Sequence, residues 1–332
     1  MNTILITGVG GGVGQSIIKC LQGSDLRVIG ADSDPTAAGL HAGINAGYIV
    51  PEARDEADYI ARLLDICERE RVNLVFPGHD CELLPLARNT TDFDKIGTRV
   101  VVSPPGVIDV CDDKLETARF LEGIGEPYPE TWPLGCITAW RRPVVLKPQT
   151  GGARSKGMYV CRDPQAFARA VKLCDPDNTV VQEFVDGPEY TCGTVFLDGK
   201  VYGPIVMRRI LRDGDTHKAF VEENSAISDT VRTVVTALKP FGACNVQLRL
   251  RDGIPYIFEI NARCSGTTAC RALAGFNEPL MVADRLLYGV EPSYKIDHGL
   301  SFLRYWNEVI VTTDRINTTR ESGQIGIGVA QL

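Results

Sequence analysis

Histidine is scarce in this chain of 332 residues: there are four, scattered, with three tryptophans and four methionines. A histidine-rich metal centre is not expected. No apolar run reaches the roughly 18 residues that a membrane-spanning helix needs. Met1 leads straight into a strand-like run, with neither a basic region nor an apolar signal-peptide core, so a cytoplasmic protein is expected. Lys and Arg number 35 against 42 Asp and Glu, and the net charge of −7 argues against a nucleic-acid scaffold. The eleven cysteines are an odd number without a single C-x-x-C, and the nearest pair, Cys264 and Cys270, lacks zinc-ligand spacing. They read as reduced thiols, mostly small buried residues. The phosphate-binding pattern G-x-x-x-x-G-K-[ST] is missing, as are internal repeats and low-complexity segments.

The length allows one to three domains, and 44% hydrophobic with 23% charged residues is ordinary for a globular chain. The first hundred residues alternate strand and helix signals. "TILIT", "LRVIGAD", "AGYIVP", "VNLVFPG" and "RVVVSP" read as strands, and "VGQSIIKCLQ" and "EADYIARLLDICERER" as amphipathic helices. This order predicts a Rossmann-like parallel sheet over residues 1–105. "SPPGVIDVCDDK" reads as a break, followed by the helix "KLETARFLEGIG". From there the pattern is α+β. "PVVLKPQ", "MYVC" and "TVVQEFV" read as strands, residues 187–209 as a meander, and "ACNVQLRLRDGIPYIFEINAR" as a hairpin on an Asp-Gly turn. Helices are expected at "DPQAFARAVKLC", "SDTVRTVVTALKPFG" and "LMVADRLLYG". The tail, 296–332, carries the β-prone run "FLRYWNEVIV" and is expected to pack on the body.

The opening "ILITGVGGGVGQSI" contains Thr7, Gly8, Gly11 and Gly14 at the spacing of a dinucleotide fingerprint, and Asp32 ends the second strand where an acid could hold a ribose. Any first βα turn of such a sheet needs glycines, however. Short-chain dehydrogenases also need Tyr-x-x-x-Lys, and none of the ten tyrosines has Lys four residues on. The loop therefore reads as a structural or substrate-facing turn.

The chemistry is expected downstream. "VVLKPQTGGARSKGM" presents Lys147 on a strand and then Gly151, Gly152, Arg154, Ser155, Lys156 and Gly157, glycines and cations suited to phosphates. "VVQEFVDGPEY" ends a buried strand at Gln182, Glu183, Phe184 and Val185, where backbone groups could meet an adenine edge, with Glu189 placed for a ribose. "NVQLRL" offers Asn245 and Gln247. "PYIFEINAR" puts Glu259, Asn261 and Arg263 on one strand face. An acid, an amide and a guanidinium there suit a hard cation and an anionic group.

These segments, with "DDKLETARFLEGIGEPYPET" and "ADRLLYGVEP", resemble the ATP-grasp superfamily, in its carbamoyl-phosphate synthetase-like branch, over about residues 108–292. The first hundred residues resemble that family's pre-ATP-grasp domain, whose glycine turn faces the active-site cleft. The resemblance implies an ATP-grasp domain at 106–295, with a mobile lid at about 116–182. It implies ATP and Mg²⁺ (or Mn²⁺) as cofactors. Lys114, Lys147 and the 151–157 loop would lie by the phosphates, Glu183 and Val185 by the adenine, and Glu189 by the ribose. Gln247, Glu259 and Asn261 would hold metal, although relatives often have an acid where Gln247 stands. Lys147, Asn261 and Arg263 would act in catalysis. Arg208, Arg209, Arg212 and Lys218 would lie on the connection that faces substrate or phosphate in relatives. The implied reaction is carboxylate–amine ligation through an acyl phosphate, with small carboxylate and amine substrates and no nucleic-acid or membrane partner. Relatives are often homodimers, but no stretch here marks an interface. A catalytically silent ATP or ADP binder of regulatory role and an NAD(P)-dependent oxidoreductase remain as alternatives.

Overall fold

Buried β-branched runs make parallel strands when both faces are covered. Thr3–Ile6 (β1) is buried at every position, and Arg27–Asp32 (β2), Ala46–Ile49 (β3), Val72–Phe76 (β4) and Arg99–Val100 (β5) follow in parallel. Between them run Gly12–Leu21 (α1), Ala38–His41 (α2), Glu56–Glu70 (α3), Asp80–Arg88 (α4) and Thr90–Lys95 (α5). The computed structural model describes residues 1–137, 139–152 and 156–325.

The stretch read as a break is instead a helix, Pro105–Asp112 (α6). Proline serves at a helix start, where its missing N–H would have had no partner anyway. Asp113 then caps Lys114–Gly123 (α7), accepting from the Leu115 amide at 2.7 Å. Thr131–Pro133 (β6), Val144–Pro148 (β7), Tyr159–Cys161 (β8), Pro164–Val171 (α8) and Thr179–Glu183 (β9) follow. The four strands form an antiparallel sheet in the order β6-β9-β7-β8. This small sheet has its own core, from Leu134 through Leu146 and Phe167 to Val181. Leu121 of α7 lies instead in the core of the next sheet.

That sheet begins with the meander Glu189–Leu197 (β10), Lys200–Arg212 (β11) and Asp215–Val221 (β12). Ser225–Leu238 (α9) leads into the hairpin Gly242–Arg251 (β13) and Ile254–Asn261 (β14), whose Asp252 and Gly253 both have positive φ. Thr268–Leu273 (α10), Glu278–Tyr288 (α11) and Ser301–Leu303 (β15) complete it, in the order β14-β13-β10-β11-β12-β15.

The β-prone run of the tail differs from its reading. Within "FLRYWNEVIV" only Phe302 and Leu303 lie in a strand, and Tyr305 and Trp306 are exposed. Thr313–Ser322 (α12) and Gln324–Ile325 (β16) follow, and β16 pairs antiparallel with β3. The first sheet therefore runs β16-β3-β2-β1-β4-β5. A shared core joins it to the large antiparallel sheet, with Ile4, Ile6 and Phe76 in one cluster with Val195, Met207 and Phe276. Ser16 of α1 donates to the Gly266 carbonyl at 3.0 Å, and Asn277 to that of Cys20 at 2.8 Å. Among the described residues no helix is long and apolar enough to cross a membrane.

Candidate active site

The opening glycines serve the turn itself. Gly8 has φ +57°, and a Cβ on Gly14 would stand 2.5 Å from the Gly8 carbonyl oxygen. Asp32 accepts from the amides of Gly10 at 2.7 Å and Asp34 at 3.0 Å. Its carboxylate thus closes the loop rather than waiting for a ribose. The loops after β1 and β4 lie side by side at the carboxyl ends of adjacent central strands, where the sheet order changes direction. In an open α/β sheet that is where ligands bind.

One of two adjoining cavities opens at this edge. The first, about 190 Å³, lies between the small sheet and the large one. It is lined by Lys114, Lys147, Gly152, Lys156, Gln182, Glu183, Phe184, Val185, Glu189, Arg209, Gln247, Arg249 and Glu259, among others. Cations outnumber acids here, in a chain whose net charge is −7. The Phe184 amide is taken by the Pro143 carbonyl at 3.0 Å, and Gln182 donates to the Thr131 hydroxyl at 2.9 Å. The Phe184 ring lies under the guanidinium of Arg162, 4.4 Å away, and near that of Arg249 at 5.4 Å. Glu183 is paired with Arg251 at 2.8 Å.

Lys147 ties the small sheet to the large one. The pairing of β13 with β14 shifts register after Gln247, leaving Phe258 as an extra residue opposite no partner. A bulge of this kind turns a backbone group out of the ladder. The Phe258 carbonyl accepts from Lys147 Nζ at 3.3 Å, and the Phe258 ring lies 5.5 Å from the same ammonium. Burial pushes the Lys147 ammonium down to about 8; Glu259 opposes this and Lys114 adds to it. Sequence reading pointed to neither Phe258 nor the bulge.

The "DDK" run holds the base of the glycine loop. Asp112 accepts from the Gly151 amide at 3.2 Å, Asp113 from the Gln149 side chain at 2.7 Å, and the Lys114 amide donates to the Gln149 carbonyl at 3.0 Å. Gly151 and Gly157 have positive φ. Arg154 and Ser155 lie outside the described residues.

The floor between the cavities is a charged row across three strands. Arg209 of β11, Glu189 of β10 and Arg249 of β13 are register partners. Glu189 accepts from Arg209 Nε at 2.9 Å and from Arg249 at 2.7 Å. Arg209 also donates to the Gln247 side-chain oxygen at 2.6 Å. Gln247 stands opposite Glu259, and Asn245 opposite Asn261. Glu259 and Asn261 share one face of β14, as alternation requires, whereas Arg263, read as part of that strand face, lies two residues past the end of the strand. Asn261 donates to Glu259 at 3.1 Å and accepts from Arg263 at 3.1 Å.

The second cavity, about 390 Å³, shares Gly152, Lys156, Arg209, Gln247 and Glu259 with the first. Its far wall is Gly11, Gly12, His79, Asp80, Arg263, Thr267 and Arg304. Arg263 forks onto Asp80 of α4, with both N···O distances at 2.7 Å. Burial works to raise the Asp80 carboxyl, but the charge and hydrogen bonds of Arg263, with His79 and Lys114, together hold the carboxyl below its ordinary range. Beneath this wall, buried Glu82 accepts from the Thr7 hydroxyl at 2.6 Å and from the Gly78 and His79 amides, both at 3.1 Å. Burial pushes its carboxyl up to about 7. Asn245 lines this cavity with its side-chain oxygen turned to protein partners. Its oxygen accepts from Thr191 at 2.7 Å and from Arg271, which forms a fully buried pair with Glu278 at 2.6 Å.

Lys114, Lys147, Gly152, Lys156, Gln182, Glu183, Phe184, Val185, Glu189, Gln247, Glu259 and Arg263 thus border one continuous cleft, with Asn261 buried between Glu259 and Arg263. Of the four cations on the β11–β12 connection, Arg209 reaches it. Arg208 pairs with Glu222 at 2.6 Å, Arg212 lies beside Asp213 at 4.0 Å, and Lys218 is exposed on β12. His79, Asp80 and Arg304 escaped sequence reading. They come from the first sheet and the tail, and no spacing links them to the rest. The acid at the first position of α4 was a legible signal for Asp80 alone.

Residues 175–304 match a family described as ATP-grasp in the biosynthetic pathway with Ter operon, and residues 4–101 match the PylC-like N-terminal domain. The carbamoyl phosphate synthase large chain of Rubrobacter xylanophilus is 27% identical over 253 residues, which are 68% of this chain and 23% of that one. D-alanine–D-alanine ligase A of Bacillus cereus is 28% identical over 134 residues, 36% of this chain and 44% of that one. The chain thus spans under a quarter of the length of the synthase it matches. Among solved structures, an L-amino acid ligase from Bacillus licheniformis superposes with a TM-score of 0.70 at 18% identity, covering 88% of this chain and 75% of that one. N5-carboxyaminoimidazole synthetase from Staphylococcus aureus, complexed with ADP, gives 0.70 at 14% identity, covering 89% and 80%. The matched families, the shared fold and the cleft between a small and a large antiparallel sheet agree: the chain belongs to the ATP-grasp superfamily and carries a PylC-like N-terminal domain.

Proposed function

We propose that the chain is an ATP-dependent carboxylate–amine ligase acting on a small, amino-acid-like carboxylate. One observation carries the reading. A cation-rich cavity between two sheets shares the wall Arg209, Gln247 and Glu259 with a second cavity at the switch point of the first sheet. ATP in the first would present its γ-phosphate to a carboxylate in the second.

In this reading Glu183 and Val185 meet the adenine edge with backbone groups, and Glu189 meets the ribose. Lys114, Lys147 and the 151–157 loop take the phosphates. Gln247, Glu259 and Asn261 would hold Mg²⁺ (or Mn²⁺). They fit a hard cation: all are oxygen donors, placed on neighbouring strands of a rigid sheet, and Gln247 faces Glu259 across the pair. When bound, the ion neutralises charge on the phosphate oxygens. The substrate carboxylate attacks the γ-phosphorus, ADP leaves, and an amine displaces phosphate from the acyl phosphate to form the C–N bond. Side chains position and neutralise, and none need be a nucleophile. Arg263, anchored by Asp80, fixes one wall of the acceptor compartment, to which Arg304 adds a positive charge. Closure of the small sheet, residues 131–183, excludes water from the acyl phosphate.

The test is phosphate and ADP release from MgATP with a pool of amino acids, run beside Glu259→Ala. Release that depends on one pool member and is lost in the variant supports the ligase. Nucleotide binding without turnover in any pool favours a silent binder.

A further inference from the structure

Arg209 stands where a second metal ion would be expected to act. Three observations meet at its guanidinium. It is almost fully buried, in the wall common to both cavities. It donates at 2.6 Å to Gln247 Oε1, the oxygen that Gln247 would offer a cation. It is held in place by Glu189, which also binds Arg249, so the Arg209–Glu189–Arg249 row retains a net positive charge. That charge cannot be shed, because a guanidinium does not deprotonate in proteins.

A neutral amide oxygen is a weaker partner for a divalent ion than a carboxylate. One of its two lone pairs is already engaged by Arg209. A divalent ion on the other would lie against the guanidinium, a like-charge contact in a half-buried site. Glu259 is different: it faces Gln247 across the hairpin, receives one amide N–H from Asn261, and has no arginine bonded to it among the described residues. The row therefore splits the metal-binding face into a half that favours an ion and a half that already has a cation.

We infer that this chain uses one divalent ion, held on the Glu259 side, and that Arg209 supplies in fixed form the positive charge of a second. The inference rests on the metal site proposed above, keeps Glu259 and Asn261 as its ligands and takes Gln247 out of the set. It assigns Gln247 the part of an orienting acceptor for Arg209, and Arg209 that of a group contacting the nucleotide phosphates.

The experiment is Mn²⁺ titration of the whole chain with the non-hydrolysable imido analogue of ATP, with bound ion read by electron paramagnetic resonance. The expected result is a single Mn²⁺ per chain. Arg209→Met should weaken analogue binding by about tenfold or more. Arg209→Met combined with Gln247→Glu should take up a second Mn²⁺, whose coupling to the first appears in the spectrum. Two ions bound by the unaltered chain would overturn the role of Arg209 and leave the ligands standing. No Mn²⁺ beyond that carried by the free analogue, in the unaltered chain and in Glu259→Ala alike, would overturn the ligand assignment itself. Both of these results are read on the unaltered chain, so a variant that fails to fold does not blunt the test.

Discussion

Lys147→Met should make the protein more stable while weakening nucleotide binding. Lys147 is buried, and burial lowers its ammonium from 10.5 to about 8. Each unit corresponds to about 1.4 kcal/mol, so keeping it charged costs the nucleotide-free fold up to about 3 kcal/mol. The sign follows from proton counts. Between pH 8 and 10.5 the unfolded chain keeps this proton and the folded chain releases it, so stability rises with pH across that window. Below pH 8 both states hold the proton and the full cost remains. Denaturant unfolding without nucleotide should show Lys147→Met gaining up to about 3 kcal/mol at pH 7, with the gain shrinking towards pH 10. Phosphate oxygens should restore the proton on binding. Calorimetry at pH 8 in buffers of different ionisation enthalpy should then report uptake of about half a proton per ATP, absent in the variant. A variant no more stable than the parent, with a flat pH profile, would refute the argument.

Other outcomes follow from the packing. Glu278→Gln leaves the Arg271 charge buried beside a neutral group and should cost about 3–5 kcal/mol in denaturant unfolding. Gly14→Ala drives a methyl to 2.5 Å from the Gly8 carbonyl oxygen and should cost about 2–3 kcal/mol or prevent accumulation of folded protein. Glu82, raised to about 7 in the fold, keeps its proton where the unfolded chain has lost it. Its contribution is present in full below about pH 4 and is lost as pH rises towards 7. Glu82→Gln should flatten that part of the stability profile.

Much of the fold was open to sequence reading because strand runs and helical spacing carry it, as in β1, α3 and the β13–β14 hairpin. The misses share a cause. Pro85 sits inside α4, a proline pair opens α6, and the tail helix "TDRINTTRES" has no apolar face, so periodicity and breaker rules failed at each. In the site, Glu259 and Asn261 were legible because two-residue spacing puts side chains on one strand face, whereas Arg263 lies past the end of β14 and joins them through its hydrogen bond to Asn261. The Arg209–Gln247 contact was not. It depends on the register of β11 and β13 against β10, which no local pattern encodes. The Phe258 bulge was hidden for the same reason.

The pairing of β16 with β3 has a consequence for how the chain is made. The first sheet receives one edge strand roughly two hundred residues of synthesis after its other strands have emerged. Until then β3 offers an unpaired edge to any neighbouring chain. A nascent first domain is therefore exposed to wrong pairing throughout translation of the two antiparallel sheets, and its final closure is a step of high sequence separation. Stalled or truncated products should aggregate through that edge, and Gln324–Ile325 acts as the latch that ends the exposure.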